Sequence, residues 1–294
     1  MTTAPTRRLD AELVRRGLVR SRTRGAELVS RGHVRVDGEV VTKSSFPVPA
    51  DATLEVGGPS AMYVSRAAHK LAGALDALAA VPGAPDPRGR WCLDAGASTG
   101  GFTQVLLERG AEHVLAIDVG HGQMDEVIAA DPRVTAREGL NVRGLTADDV
   151  PRPPGLVVAD LSFISLTLAV GPLLSVCAPE GDLLLMVKPQ FEVGRDRLGR
   201  DGVVTSVELR HEAVVTVADA AGRAGATVRA VVPSPLPGPS GNHEYFLWLR
   251  PRAAGASGTD RVALRVREAA RRAVVDGVTA VVADELHGAP RTLA

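Results

Sequence analysis

Residues 91–107, WCLDAGASTGGFTQVLL, decide the fold. The apolar run Trp91–Asp94 reads as a strand that ends on a carboxylate. The small-residue loop Ala97-Ser98-Thr99-Gly100-Gly101 follows, and then the periodicity of a helix opening at Phe102. Gly96, Gly100 and Gly101 let the backbone approach a ligand closely and let the helix N-terminus point at it. No Gly-Lys-Ser/Thr follows, and none of the lysines lies in or just after the loop, which argues against a phosphate cradle. Alone, such a loop serves a mononucleotide, a dinucleotide or merely a tight turn.

The same alternation continues downstream. Strands are expected at 113–118, 134–137, 156–160, 182–187, 227–232 and 245–249, with helices at 101–109, 123–130, 166–177 and 207–224. Upstream, SRAAHKLAGALDALAA (65–80) carries Leu71, Leu75 and Leu78 on one helical stripe. This order predicts an α/β fold with a mostly parallel sheet covered on both faces. The last strand follows the proline-rich loop PSPLPGPSGN (233–242) and need not be parallel. Residues 251–260 read as a linker and 261–286 as an arginine-rich amphipathic helix, either solvated or assisting RNA binding.

In a doubly wound sheet, ligands bind beyond the carboxyl ends of the strands. Asp118 ends VLAID and can accept both hydroxyls of a ribose, a group that NAD and S-adenosylmethionine share. Asp94, beside the glycine loop, would repel a pyrophosphate but attract an amino-acid ammonium or a sulfonium, which favours S-adenosylmethionine. Asn141 follows the third strand and either bonds an adenine edge or only makes a turn. Asp160 and Lys188 end the apolar runs LVVAD and LLLMVK, at equivalent ends of strands expected to be neighbours. Glu244 opens the last strand, and Lys70 lies in the helix before the sheet.

Composition sets the frame for these choices. The 294 residues carry 34 basic and 34 acidic side chains, and 45% are hydrophobic, a globular balance over two domains or one domain with an appendage. Only three of the basic residues are lysines (Lys43, Lys70 and Lys188), and there are two asparagines, Asn141 and Asn242. A lysine that survives in so arginine-rich a chain marks a place where arginine cannot substitute. Two cysteines without ligand spacing, no apolar leader and no long apolar run indicate a cytoplasmic protein with no metal and no membrane span.

Net neutrality hides a basic N-terminal segment. RLDAELVRRGLVRSRTRGAELVSRGHVRVDGEVV reads as two helices, ended by Gly17 and Gly32, and a hairpin around Asp37-Gly38. Arg7, Arg8, Arg15, Arg16, Arg20, Arg22, Arg24 and Arg35 gather there, as phosphate contact would require. With TLEV at 53–56, the segment resembles the S4 RNA-binding domain over roughly residues 7–56, which implies binding to structured RNA.

The stretches VSRAAHKL, CLDAGASTGGFTQVLL, VVADLSFISL, VKPQFEVG and PLPGPSGNHEYFLWL are similar to those of the TlyA family of ribosomal RNA 2′-O-methyltransferases. The resemblance implies an N-terminal S4 domain (1–58), a linker (59–64), an FtsJ-like Rossmann methyltransferase domain (65–251) and a remaining tail (252–294). It implies a catalytic tetrad of Lys70, Asp160, Lys188 and Glu244. It also implies a S-adenosylmethionine site at the glycine loop, Asp118 and the Asn141 loop; the cofactor set is then Asp94, Gly96, Ala97, Ser98, Gly100, Gly101, Phe102, Asp118, Asn141 and Asp160. Its expected partner is ribosomal RNA in ribosomal subunits, bound by a monomer. The family's linker tetrapeptide Arg-x-Trp-Val stands here as Ala61-Met62-Tyr63-Val64, without the arginine.

The chemistry suits those residues. A ribose 2′-hydroxyl must lose its proton as the methyl transfers, and a lysine made neutral by burial and a second nearby ammonium can take it. Arginine cannot. Lys188 is assigned as the base. Phe163 and Phe191 follow strand ends, where an aromatic ring can stack on a flipped nucleotide. Competing readings are a membrane-active haemolysin, which members of this family have been called, and a non-catalytic ribosome-assembly factor. Pseudouridine synthesis also pairs with S4 domains but lacks this strand–loop–helix alternation.

Overall fold

A computed structural model describes residues 6–19, 21–30, 32–57, 63–199, 201–252 and 260–282. Two compact units divide between Tyr63 and Val64. The N-terminal unit runs β1 (Arg7–Arg8), α1 (Leu9–Arg15), α2 (Arg22–Ser30), β2 (Val34–Val36), β3 (Glu39–Val40), β4 (Pro47–Val48) and β5 (Leu54–Val56). The strands pair antiparallel as β3-β2-β5 and β1-β4. Asp37 and Gly38 both take positive φ (51° and 83°), the left-handed pair that a two-residue hairpin turn requires. Leu9, Leu13, Leu28, Val29, Val34 and Val48 close a small core of this unit's own.

The second unit begins with α3 (Ala67–Leu78), β6 (Trp91–Ala95), α4 (Gly101–Glu108), β7 (His113–Asp118), α5 (Glu126–Ala129) and β8 (Val134–Glu138). It continues through β9 (Leu156–Ala159), α6 (Val170–Val176), β10 (Asp182–Val187), α7 (Pro189–Glu192), α8 (Val207–Arg223), β11 (Ala226–Pro233) and β12 (Tyr245–Pro251). It closes with α9 (Asp260–Val275) and β13 (Ala280–Val281). One eight-stranded sheet has the order β13-β11-β12-β10-β9-β6-β7-β8. Strands β8, β7, β6, β9 and β10 are parallel, whereas β12 inserts antiparallel between β10 and β11. The runs LVVA and DLLLMV are buried along their whole length, as central strands covered on both faces must be. From β6 the chain order runs outward both ways, through β7 on one side and β9 on the other. The switch in direction opens a crevice at the carboxyl ends of these strands.

The opposite end of the sheet is tied by Asp182, which is fully buried and accepts from Arg90 Nη1 (2.7 Å), Trp248 Nε1 (2.8 Å) and Arg250 Nε (2.7 Å). The C-terminal segment departs from the sequence expectation. The helix stops at Val275, Gly277 follows at φ +68°, and β13 pairs antiparallel with the β11 edge. Helix α9 is not solvated all round: Val266, Ala269, Ala270, Ala273 and Val274 join the main core of this unit. None of the described helices is long and apolar enough to cross a membrane.

Candidate active site

The site grows from the strand ends. After β6 the chain turns at Gly96, whose φ is +81° and whose Cα faces the Asp160 carbonyl; a Cβ there would lie 2.7 Å from that oxygen. Only glycine lets the loops after β6 and β9 pass this closely. Asp118, at the end of β7, accepts Ser98 N–H through Oδ2 (2.8 Å) and Gly120 N–H through Oδ1 (2.7 Å). Each carboxylate oxygen has two acceptor positions, so one on each stays available. Ser98 Oγ also donates to Gln123 Oε1 (3.1 Å).

These loops line a cavity of about 690 Å³. Gly96, Ser98, Asp118, Asn141, Asp160 and Phe163 are among its walls, together with Leu140 and Ser162. The Asn141 side chain also does the work of a turn residue: its Oδ1 caps the short helical turn 142–144 by accepting Arg143 N–H (3.0 Å). Other residues expected at the cofactor lie behind the wall. Ala97 is buried, and Gly100 (φ +88°) and Gly101 lead into α4, where Gly101 packs against Ser65 and Ala68. Phe102 faces the core and stacks on Phe246, with ring centroids 6.0 Å apart.

Asp94 is fully buried beneath the loop. Thr103 Oγ1 donates to its Oδ2 (2.7 Å), while Oδ1 has no partner. Burial, reinforced by the charges of Asp160 and Asp118 against the opposing Thr103 bond, pushes its carboxyl up to about 7. Asp94 lies behind the cavity wall and Asp160 is paired with Lys188, so Asp118 is the carboxylate that meets the cavity outside an ion pair with a lysine.

Lys70, Asp160, Lys188 and Glu244 form two ion pairs. Lys70 Nζ on α3 lies 2.5 Å from Glu244 Oε2, with both side chains buried. Lys188 Nζ, one residue beyond β10, lies 2.6 Å from Asp160 Oδ1 and donates to Ser162 Oγ (2.9 Å). Gln190 Nε2 reaches Glu244 Oε1 at 3.4 Å, tying Glu244 to the segment that follows Lys188. Each lysine therefore faces a carboxylate, not the other lysine as nearest charge. Phe163 is 92% exposed at φ +64°, a strained backbone for a bulky residue, and its ring lies 5.4 Å from that of Phe191.

Several side chains not singled out in the sequence hold this arrangement. Glu192, on α7, accepts Ser165 Oγ–H (2.6 Å) and Leu166 N–H (2.7 Å), fastening the loop after β9 to the segment after β10; its carboxyl is raised by burial. Asn242 is buried, accepts Val204 N–H (2.9 Å) and donates to Gly202 O (3.0 Å), anchoring the proline-rich loop that ends on Glu244. The scarcity of asparagine was the available signal. Gln190 and Glu192 lie within VKPQFE, where only Lys188 and Phe191 drew notice.

In the N-terminal unit, Arg7, Arg8, Arg15 and Arg22 are on the surface, and Arg35 donates to Gly38 O (2.8 Å). Arg16 turns inward to Ala52 O (2.5 Å) and Ala50 O (3.1 Å). Arg20, the Arg24 side chain, Ala61-Met62 and the tail beyond residue 282 lie outside the described residues.

Residues 63–251 match the FtsJ-like methyltransferase family and residues 7–54 match the S4 domain. A 16S/23S rRNA (cytidine-2′-O)-methyltransferase of Mycobacterium tuberculosis is 49% identical over 92% of this chain and 98% of its own. Hemolysin A of Brachyspira hyodysenteriae is 32% identical over 81% of this chain and 98% of its own. Among solved structures, a candidate hemolysin from Streptococcus thermophilus aligns with a TM-score of 0.68 at 32% identity, covering 92% of this chain and 96% of that one.

Proposed function

The chain belongs to the FtsJ-like methyltransferase family, and from that premise we propose that it methylates the ribose 2′-hydroxyl of cytidine in ribosomal RNA, using S-adenosylmethionine. The observation that carries the reading is the position of Lys188: its Nζ touches both Asp160 and Ser162, which are walls of the cavity. A lysine nitrogen therefore sits at the edge of a cofactor-sized space, ion-paired in this structure and able to accept a proton only once it has given one up.

The residues present fit the cofactor. Asp118 retains acceptor positions that would take two ribose hydroxyls, Leu140 and Asn141 line the same cavity and would hold the adenine, and Gly96 and Ser98 supply close backbone. The unpartnered Oδ1 of Asp94, buried beneath the glycine loop, leaves an acceptor that suits a ligand carrying positive charge. When bound, S-adenosylmethionine supplies an electrophilic methyl group on a sulfonium. Lys188 would receive the 2′ proton, a role open only to a neutral amine because an ammonium has no acceptor position, so the ammonium that pairs with Asp160 must first release a proton to solvent. Asp160 then pairs with the ammonium that results, and Ser162 fixes the direction of Nζ. Lys70 and Glu244 form a buried pair outside the cavity's lining, tied through Gln190 to the segment that follows Lys188, and would act as positioning residues. Phe163, exposed and backed by Phe191, offers a ring face to a base turned out of its helix.

The test is methyl transfer to isolated ribosomal subunits, with the modified nucleotides mapped by mass spectrometry. Wild-type protein is expected to methylate cytidine 2′-oxygens, and Lys188→Arg and Lys188→Ala each to lose at least ~100-fold in rate. Substantial residual activity in either variant removes Lys188 from the role of base. Subunits left unmethylated by wild-type protein overturn the substrate.

A further inference from the structure

Arg8, Arg15, Arg16 and Arg22 of the N-terminal unit are not free charges. Asp10 accepts from Arg8 through Nε and Nη2 (both 3.0 Å) and from Arg22 Nη2 (3.2 Å). Glu12 accepts from Arg15 through Nε (2.8 Å) and Nη2 (2.6 Å) and from Arg16 Nε (2.7 Å). The two acids are 4% and 2% exposed, whereas the Arg8, Arg15 and Arg22 side chains are 50%, 54% and 62% exposed. Two carboxylates thus lie beneath a layer of guanidiniums. Arg15 and Arg16 hold the Glu12 carboxyl down at about 2, so it stays ionised throughout the working range of pH.

Stability alone is a poor reason for this design. Burying a carboxylate is costly, and an apolar side chain of similar volume packs a helix pair at least as well. What an acid adds is orientation. A guanidinium gripped along its Nε–Nη2 edge has spent two of five donors, and the rest point away from the carboxylate in a fixed plane. We propose that Asp10 and Glu12 are positioning residues of an RNA-backbone interface, holding Arg8, Arg15 and Arg22 with their outer edges set to grip phosphates. Arg16, drawn inward to the carbonyls of Ala50 and Ala52, ties the Glu12 cluster to the loop before β5. The proposal rests on the reading of this unit as an RNA-binding S4 domain.

Charge counting and positioning give opposite signs for one substitution. Glu12→Gln adds a positive charge to a chain whose formal net charge is zero. If only net charge matters, RNA binding tightens and becomes more salt-dependent. If Glu12 positions Arg15, binding weakens about tenfold and the salt slope falls by roughly one phosphate contact. The measurement is filter binding of the full chain to transcribed ribosomal RNA between 50 and 300 mM KCl, with the same variants assayed for methyl transfer; these concentrations span about the range over which phosphate contacts dominate affinity. KM for RNA is expected to rise with kcat retained. Arg15→Lys, on an exposed side chain, keeps the charge but loses the planar fork, so it should weaken binding similarly even if Glu12→Gln proves poorly folded by thermal melting. Wild-type binding matched or exceeded by folded Glu12→Gln, or unchanged by Arg15→Lys, overturns the positioning role. No binding by wild-type protein overturns the RNA reading beneath it.

Discussion

Asp94 shows how one residue couples cofactor, proton and stability. Its carboxyl is raised from 3.8 to about 7 in the folded chain, chiefly by burial. Between these values the folded state holds a proton that the unfolded state has lost. Its contribution to stability is therefore complete below pH 3.8 and is lost as pH rises through 7. The full span corresponds to on the order of 4 kcal/mol. Asp94→Asn, which cannot ionise, should flatten this component and melt several degrees above wild type at pH 8, with the gap closing progressively as pH falls to about 4. The same variant should weaken S-adenosylmethionine binding, since a cationic ligand stabilises the ionised carboxylate. Wild-type binding should strengthen from pH 6 to pH 8 with release of up to one proton, seen in calorimetry in buffers of different ionisation enthalpy. A pH-independent affinity would sink the coupling. At this scale, legibility followed scarcity. Lys70 and Lys188 stood out among arginines because an amine can do what a guanidinium cannot. The juxtaposition of Asp160 and Lys188 was legible from neighbouring strand ends, whereas the partner of Lys70 was not, because Glu244 is distant in sequence and meets it only through the fold. Glu192 stayed hidden for a similar reason: an acid three residues past a helix start is ordinary until the loop it captures is seen.

The elements place these residues with little freedom. The loop after β9 carries Asp160, Ser162 and Phe163, and its far end is held by the two bonds that Ser165 and Leu166 donate to Glu192. Glu192→Ala should leave the sheet intact and release that loop, costing about 1–3 kcal/mol in stability. KM for RNA should rise more than kcat falls; an unchanged KM would show that the loop needs no fastening. At the Gly96 turn, Gly96→Ala forces a Cβ against the Asp160 carbonyl in a left-handed backbone. Cofactor binding should be lost in calorimetry while the N-terminal unit's RNA binding persists. Strand positions were readable because buried parallel strands are continuous apolar runs, and LLLMV can hardly be anything else. Helix limits were less readable. The helix expected over 166–177 splits into a short helical turn at Leu166–Leu168 and α6, because Pro172 has no N–H to bond back toward Leu168. The one expected from 123 begins at Glu126, where the Asp125 side chain caps it through Val127 N–H (3.0 Å).

For the whole molecule, the zero net charge averages a basic N-terminal unit with a second unit in which acids offset the arginines. The C-terminal segment most changes how the second unit is seen. Its arginines suggest solvent, yet its buried face is Val266, Ala269, Ala270, Ala273 and Val274, and β13 covers the β11 edge. Alanine made the pattern hard to read: it buries well but hardly marks an apolar stripe in a sequence so rich in it. If α9 belongs to the fold, ending the chain after Arg252 should expose the faces of α8 and β11 that α9 now covers. Removing five buried core residues and an edge strand should cost several kcal/mol, at ~0.8 kcal/mol per buried methylene. The truncated chain should melt on the order of 10 °C lower and aggregate on heating. Ala270→Asp tests the packing without truncation, since a carboxylate at a fully buried position with no partner should destabilise by about 3 kcal/mol or more. Thermal unfolding of both variants against wild type decides the matter. Unaltered melting in both would return the helix to the role of a solvated tail, whereas losses in both make residues 260–282 a structural part of the methyltransferase unit.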